Sequence, residues 1–369
     1  MRIIQVVDRL KNISGVAHAI MNYYRAIDRD AVQFDFLVNE YDAQLKEEVE
    51  SLGGTVTTIP KLSLTNYRKV CVALHTFFDN TRGVYQILHS NFYQIDWLVF
   101  PIAKKYGITC CISHSHSTKY SDHLIRAIRN AIFSWPLRKH ATHYMACSRK
   151  AGEFLFGKRS VKKKSLFVLN NAINISRFRF DSAKRESVRN ELELSDAVVM
   201  GHVGRFCKQK NQLFLLEIFQ TYLTIEPTAR LLLIGTGEDE AEFVRIAEEK
   251  GIFDKITILH NRSDVPDLLA AMDVFVFPST YEGLGIALVE AQASGLPCVA
   301  STEIPEEAAV SEHVSFLSLK APIDDWVNEV CCLRAKASAR ENATISDRFD
   351  LSVAAKQLES FYMNIANKQ

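Results

Sequence analysis

The segment Pro278-Ser279-Thr280-Tyr281-Glu282-Gly283-Leu284-Gly285, running on to Glu290-Ala291, concentrates groups able to do chemistry. It follows the apolar run Val274–Phe277 and leads into a helical pattern that ends near Gly295-Leu296-Pro297. Its glycines allow a tight turn and close approach of a ligand to the backbone. Free N–H groups at a helix start, backed by the helix dipole, suit a phosphate. Glu282 in the turn and Glu290 in the helix are strong hydrogen-bond acceptors for sugar or ribose hydroxyls, and their spacing lets both face one elongated ligand. By spacing alone, a strand–turn–helix carrying Gly and Glu for purely structural reasons reads the same way.

Four further sites fall after apolar runs. Val203-Gly204-Arg205-Phe206, with Lys210-Asn211 beyond it, offers two cations, enough to hold a diphosphate or simply to sit solvated on a loop. Gly235-Thr236-Gly237-Glu238 is a glycine turn opening a helix; it lacks the third glycine of a dinucleotide fingerprint and reads equally as a plain strand–helix turn. Ser113-His114-Ser115-His116-Ser117 places two histidines at i, i+2, either structural or able to donate to a sugar hydroxyl or to developing charge. No acidic or histidine cluster follows to complete a metal site, the next acid being Asp122. Asp8 to Gly15 is a loop ahead of a helix, where Gly15 suits backbone approach or merely connects. Asp28-Arg29-Asp30 matches a metal–nucleotide DxD by letters but closes a helical pattern, and is read as a surface helix end.

The elements that must position these groups alternate. Strand patterns lie near Ile3–Val7, Phe34–Val38, Val56–Ile59, Tyr85–His89, Thr109–Ser113 and Tyr144–Cys147, with helical patterns at Val16–Ile27, Ala43–Leu52, Tyr67–Phe78, Ile95–Lys105 and His123–Lys139. The alternation restarts with strands at Val198–Val203, Leu231–Ile234, Ile256–Leu259, Val274–Phe277 and Cys298–Ala300, and helices at Asn211–Leu223, Glu238–Lys250, Val265–Met272 and Ala287–Ser294. Such order predicts an α/β chain of two parallel, Rossmann-like sheets facing a central cleft, with ligands beyond the carboxyl ends of the strands. The boundary falls between Asn170 and Asp181, giving domains 1–172 and 173–349, and Ser182–Leu192 reads as a charged surface helix.

Composition narrows the classes. The chain of 369 residues holds 44 basic and 43 acidic residues, a net charge of +1 that offers no general pull on nucleic acid. Its 8 cysteines form no CxxC pair, and most sit in apolar runs, as expected of reduced, buried thiols. Met1 to Val7 is too short for a signal h-region, and no run approaches the ~18 apolar residues of a membrane span, so a cytoplasmic protein is expected. His123–Lys139 joins Arg126, Arg129, Arg138 and Lys139 to Leu124, Ile125, Ile132, Phe133 and Trp135, and Lys158, Arg159, Lys162, Lys163 and Lys164 follow. Either these form a solvated basic face over core, or they dock peripherally on anionic lipid at the inner face of the cell membrane.

Taken in this order, the five signals resemble the retaining glycosyltransferase family 4, of GT-B fold, over nearly the whole chain. The resemblance is most specific from Asp264 to Ser301, where Glu282 and Glu290 match that family's E-x7-E motif. Tyr281-Glu282-Gly283-Leu284 and Glu290-Ala291-Gln292-Ala293-Ser294-Gly295-Leu296-Pro297 look like members that build bacterial exopolysaccharide or capsule. The resemblance implies that Arg205 and Lys210, after Gly204, neutralise the donor diphosphate, and that Glu290 holds the nucleotide ribose. It places Glu282 beside the donor sugar, with backbone N–H groups from Gly283, Leu284 and Gly285, and Gly15 and Gly237 on the donor side. His116 matches the histidine at the donor sugar, with His114 as the alternative, and Asn171 matches the asparagine of the domain junction. Ser14 and Ala172 depart from the family, which commonly has Gly at both positions. A final helix near Ser352–Asn364, within 350–369, is expected to return to the N-terminal domain.

The implied reaction moves a sugar from a nucleotide-diphosphate sugar, uridine by family habit, to a glycan or lipid-linked acceptor, with anomeric configuration retained. It uses no cofactor and no metal. The sequence names no covalent nucleophile, which fits a same-face substitution. A non-hydrolysing UDP-sugar 2-epimerase shares the architecture, but would need acid/base residues that cannot be pointed to. A non-catalytic nucleotide-sugar scaffold would not need the set Arg205, Lys210, Glu282 and Glu290.

Overall fold

A computed structural model describes residues 1–11, 14–63, 65–120, 124–194, 196–336, 340–343 and 345–367, with backbone alone at 124–126, 133, 135–138, 163–164, 336 and 342. The chain forms two compact units, Met1–Ala172 with Arg348–Gln369, and Ile173–Asp347.

The first unit is a seven-stranded parallel sheet built from β1 (Arg2–Leu10), β2 (Gln33–Tyr41), β3 (Val56–Thr58), β4 (Tyr85–Ser90), β5 (Cys110–Ser115), β6 (His143–Ala146) and β7 (Leu166–Val168), in the order β3-β2-β1-β4-β5-β6-β7. Helices cover both faces, so a central strand is apolar on both sides. In β1, Ile3 and Val7 join one core cluster with Tyr24, Phe34, Phe36 and Tyr362, while Ile4 and Val6 join the other with Leu88, Phe100, Tyr144 and Phe156. The period of two leaves Gln5 on the first face, 1% exposed, where an apolar side chain would be the default. The C-terminal helix Leu351–Ala366 belongs to this unit and buries Leu358, Tyr362 and Ile365 in that cluster. Its start is capped by Asp350, whose carboxylate accepts from the Ser352 N–H at 2.8 Å.

The second unit is a six-stranded parallel sheet of β8 (Val199–Val203), β9 (Arg230–Ile234), β10 (Ile256–Leu259), β11 (Val274–Phe277), β12 (Cys298–Ser301) and β13 (Val314–Leu317), in the order β10-β9-β8-β11-β12-β13. Its strand order reverses between β8 and β11, the switch point beyond which ligands settle in open α/β sheets. A guanidinium ties down the helix that follows β11. Arg340 donates to Leu269 O, Ala270 O, Met272 O and Ser294 O at 2.8–3.1 Å, satisfying the carbonyl ends of helices Val265–Ala271 and Ile286–Ala293.

Several elements differ from the sequence expectation. β7 and β13 were not expected; each is an edge strand, three and four residues long, β7 being apolar but very short, and β13 half-buried throughout with Ser315 interrupting its apolar residues. Helices Arg149–Phe156, Lys158–Lys164 and Ile323–Lys336 were not expected either, the second being almost wholly basic. β1 extends to Leu10, so Asp8, Arg9 and Leu10 are strand rather than loop. The expected helix at His123–Lys139 runs from Leu124 to His140, and His123 lies outside the described residues. The domain junction carries a single turn of helix, Ile175–Phe178. Among the described residues no helix is long and apolar enough to cross a membrane, and the eight cysteines are free thiols, Cys71, Cys331 and Cys332 being only half-buried.

Candidate active site

In the second unit the candidate residues gather at the carboxyl ends of β8, β9 and β11. Gly204 follows β8, and its N–H donates to Ile234 O at 2.9 Å, while Phe206 N–H donates to Thr236 O at 3.0 Å. These bonds bind the turn after β8 to the turn after β9. A Cβ on Gly237 would lie 2.1 Å from Phe206 O, so backbone packing alone requires that glycine. Arg205 keeps its side chain 49% exposed and has Glu238 at 3.9 Å, a loose surface contact that leaves its guanidinium available.

The segment between Phe206 and the helix Gln212–Tyr222 is strapped to the loop after β11. Thr280 N–H donates to Gln209 O at 2.8 Å, Gln209 Nε2 to Tyr281 O at 3.0 Å, and Asn211 Nδ2 to Pro278 O at 3.2 Å. Asn211 takes a left-handed backbone, φ 57°, which asparagine tolerates better than most residues, and so begins the helix sharply. The straps bring Lys210 Nζ to 2.6 Å from Glu282 Oε1, with side chains 17% and 9% exposed. The ammonium also lies 4.6 Å from the centroid of the Phe277 ring. The sequence reading paired Lys210 with a ligand diphosphate; in the structure its partner is Glu282.

Gly285, at φ +92°, caps the helix Ile286–Ala293 in a backbone state open to glycine, which lets the helix start directly after the loop. Leu284 buries its side chain and can offer a ligand only its backbone. Glu290 lies inside that helix and is half-buried. Among the described residues its carboxylate has no hydrogen-bond or ion-pair partner. Burial pushes it up to about 7, with Arg177 and Lys210 pulling the other way. His202, on β8, was missed by sequence reasoning. Its Nδ1–H donates to Val276 O at 2.9 Å, and burial, with Lys210 nearby, lowers it to about 4, so it is neutral. A histidine in an otherwise apolar strand was the available signal.

In the first unit a small cavity is lined by Gln5, His89, Asn91, His116, Asn171 and Tyr362, among others. His114 and His116 leave the end of β5, Asn91 follows β4, and Asn171 follows β7. The structure thus brings His116 and Asn171 to one cavity and adds residues the sequence reading did not name. His116 Nε2 is 2.8 Å from Asn91 Oδ1, and Asn91 Nδ2 donates to Gln5 Oε1 at 2.9 Å. Gln5 Nε2 donates to Tyr362 Oη at 3.2 Å; Tyr362 Oη is 2.6 Å from His89 Nδ1; His89 Nε2 is 3.1 Å from His114 Nδ1. The signal for Gln5 and His89 was again a polar residue inside an apolar strand. Tyr362 gave none. Gly15 is the first residue of the helix Gly15–Ala26, and Ser14 caps it by accepting from Ala17 N–H at 3.3 Å, so Ser at position 14 serves the helix start. Asn12 and Ile13, in the same loop, lie outside the described residues.

A lysine–glutamate pair at the strand ends of one of two Rossmann-like units, with a helix start beside it, is an arrangement able to hold a phosphorylated ligand. Residues 184–329 match the family described as Glycosyl transferases group 1. The chain is 31% identical over 341 residues to a protein described as putative glycosyltransferase EpsF of Bacillus subtilis (strain 168), covering 89% of this chain and 86% of that one. It is 24% identical over 281 residues to the UDP-Gal:alpha-D-GlcNAc-diphosphoundecaprenol alpha-1,3-galactosyltransferase of Escherichia coli, covering 74% and 72%. Among solved structures, HepE of Anabaena in complex with UDP-glucose shares the fold at a TM-score of 0.77 and 18% identity, covering 99% of this chain and 100% of that one. The chain belongs to the group 1 glycosyl transferases, with the two Rossmann-like domains of the GT-B fold.

The state of Glu290 makes a direct prediction. A carboxyl that ionises near 4.5 when unfolded and near 7 when folded subtracts stability as pH rises through that window, and by a constant amount above it. Glu290→Gln removes this penalty. Thermal denaturation should find the variant more stable than the parent at pH 8, with the advantage shrinking to nothing by pH 4.5; an advantage independent of pH would contradict the assignment.

Proposed function

We propose that this protein is a retaining, metal-independent glycosyltransferase of family 4 that moves a sugar from a UDP-sugar to a glycan or lipid-linked acceptor in bacterial exopolysaccharide or capsule synthesis. The observation that carries the reading is the Lys210–Glu282 pair, held at 2.6 Å at the end of β8 and beside the helix start at Gly285. Capsular polysaccharide names among the relatives support the pathway, and the UDP-glucose in complex with HepE supports the donor class.

In this reading the diphosphate binds Arg205 and Lys210, with N–H groups of Gly283, Leu284 and Gly285 as further donors. Glu290 accepts from the ribose hydroxyls. The acceptor oxygen attacks the anomeric carbon from the face the diphosphate leaves. The carbon–oxygen bond to phosphate breaks, and the acceptor proton passes to the departing phosphate oxygen. Charge developing on that oxygen is met by two fixed cations, which is the work a metal would otherwise do. Diphosphate entry draws Lys210 away from Glu282, freeing that carboxylate to accept from the sugar.

Removing a preorganised donor at developing charge costs about 100- to 1000-fold in rate. Arg205→Ala and Lys210→Ala should each lower transfer on that scale, measured as UDP released from a panel of UDP-sugars with a lipid-linked acceptor. Turnover should persist in EDTA, with the product anomer matching the donor. Near-parental rates in both variants, or loss of turnover in EDTA, would sink the clamp. Return of the donor's epimer without acceptor would instead favour a 2-epimerase.

We also propose that the first unit touches anionic lipid. Ile128 and Ile132, one turn apart on the helix Leu124–His140, are 54% and 62% exposed, and Lys139, Lys158, Arg159 and Lys162 are exposed as well. The side chains of Leu124, Ile125, Arg126, Phe133, Trp135, Arg138, Lys163 and Lys164 lie outside the described set. Exposed apolar residues beside cations suit the headgroup boundary. The protein should pellet with phosphatidylglycerol vesicles but not with phosphatidylcholine alone, and less so as Ile128→Ser/Ile132→Ser. Equal pelleting with both lipids would contradict this.

A further inference from the structure

The side chains around the cavity of the first unit form one continuous hydrogen-bond chain, and its polarity can be assigned atom by atom. Asn91 Oδ1 can only accept, so His116 Nε2 carries the proton between them. Asn91 Nδ2 donates to Gln5 Oε1, and Gln5 Nε2 donates to Tyr362 Oη. Tyr362, having accepted, turns its own O–H toward His89 Nδ1 at 2.6 Å. His89 Nδ1 is then the acceptor, so its proton is on Nε2 and is donated to His114 Nδ1 at 3.1 Å. His114 must carry its proton on Nε2.

Both ends of this chain are open. His114 Nε2 and His116 Nδ1 are buried and have no hydrogen-bond partner among the described residues. By the polarity just assigned, the first is an N–H donor and the second a lone-pair acceptor. The two rings are neighbours, with centroids 3.9 Å apart and planes tilted by 35°. His114 is 4% exposed, so leaving its N–H without a partner is costly unless something completes it. Burial holds His89 down to about 3 and His116 down to about 4, and places His114 well below its ordinary value, so no ring here gains charge near neutrality. A donor and an acceptor side by side, both uncharged, match a group that is itself donor and acceptor: a hydroxyl.

We propose that Tyr362 and His89 are positioning residues that fix His114 as an Nε2–H donor beside the Nδ1 acceptor of His116, so that together the two rings bind one hydroxyl of the sugar. This rests on the sugar-transfer reading above. It gives both histidines a part, where the sequence left a choice between them. It also gives the C-terminal helix a chemical task within the first unit, to which Tyr362, Gln5 and His89 all belong.

The tautomers can be read directly in the full-length protein without any substrate, by long-range 15N–1H correlation of labelled histidine at pH 7. The expected result is neutral Nε2–H rings for His89, His114 and His116. A His114 that is protonated, or that carries its proton on Nδ1, overturns the proposal. Tyr362→Phe should then raise the Nδ1–H population of His89 and His114. It should also lower kcat/KM for the UDP-sugar about 10- to 100-fold, the scale on which losing a hydrogen-bond partner behind a working histidine acts, with affinity for UDP itself unchanged. Unchanged tautomers in the variant overturn the proposal; should the variant fail to fold, the spectrum of the parent protein decides. Absence of transfer from every UDP-sugar, with the three Nε2–H tautomers in place, would overturn the sugar-transfer reading instead and leave the chain of bonds standing.

Discussion

An ammonium buried beside an aromatic ring must have a counter-charge, and in this protein Glu282 supplies it to Lys210. Both side chains are largely withdrawn from water, at 17% and 9% exposed. Removing one partner would strand the other and cost about 3–5 kcal/mol, a penalty that neither an isolated loop nor an isolated helix could bear. The surrounding structure is arranged to keep the two together. Gln209 and Asn211 strap one loop to the other, Gly237 lets the turn after β9 lie flat on Phe206, and Arg340 ties the carbonyl ends of the helices behind. The pair is thus a consequence of the strand ends, and on the function proposed above it holds a cation that an incoming diphosphate would claim.

The two units meet the problem of buried polarity in opposite ways. The second uses full charges of opposite sign. Around its cavity the first uses none, although it holds a partly buried Arg2–Asp35 ion pair elsewhere: Gln5, Asn91, Tyr362 and three neutral histidines pass hydrogen bonds from one to the next, and burial keeps the rings uncharged. A diphosphate calls for the first kind of site and a sugar hydroxyl for the second. On the function proposed above, this division suits a nucleotide sugar, whose charge lies at one end and whose hydroxyls lie at the other.

What the sequence made legible was local. Glu282, Gly285 and Glu290 lie within one strand–turn–helix, so their spacing survives in the linear text, and the central strands announce themselves because both of their faces are buried. The alternation of strands and helices likewise gave two parallel sheets. Edge strands β7 and β13 escaped because burial gives them no pattern. The Lys210–Glu282 bond spans 72 residues, and its two partners were each assigned to the ligand rather than to one another. The histidine chain is less readable still. Tyr362 meets Gln5 across 357 positions and His89 across 273, so no window of sequence contains the contact. Its traces were the His114 and His116 pair, read without their partners, and the occurrence of Gln5 and His89 in largely apolar strands.

The most direct test of a lysine shared between Glu282 and a diphosphate is a double-mutant cycle on UDP binding, followed by calorimetry. Lys210→Met should weaken UDP, while Glu282→Gln, by releasing the ammonium, should tighten it. The double variant should bind like Lys210→Met alone, so that the two effects are not additive. If Glu282→Gln weakens UDP as much as Lys210→Met, and the losses add in the double variant, the pair is no shared clamp and the account of this site is wrong.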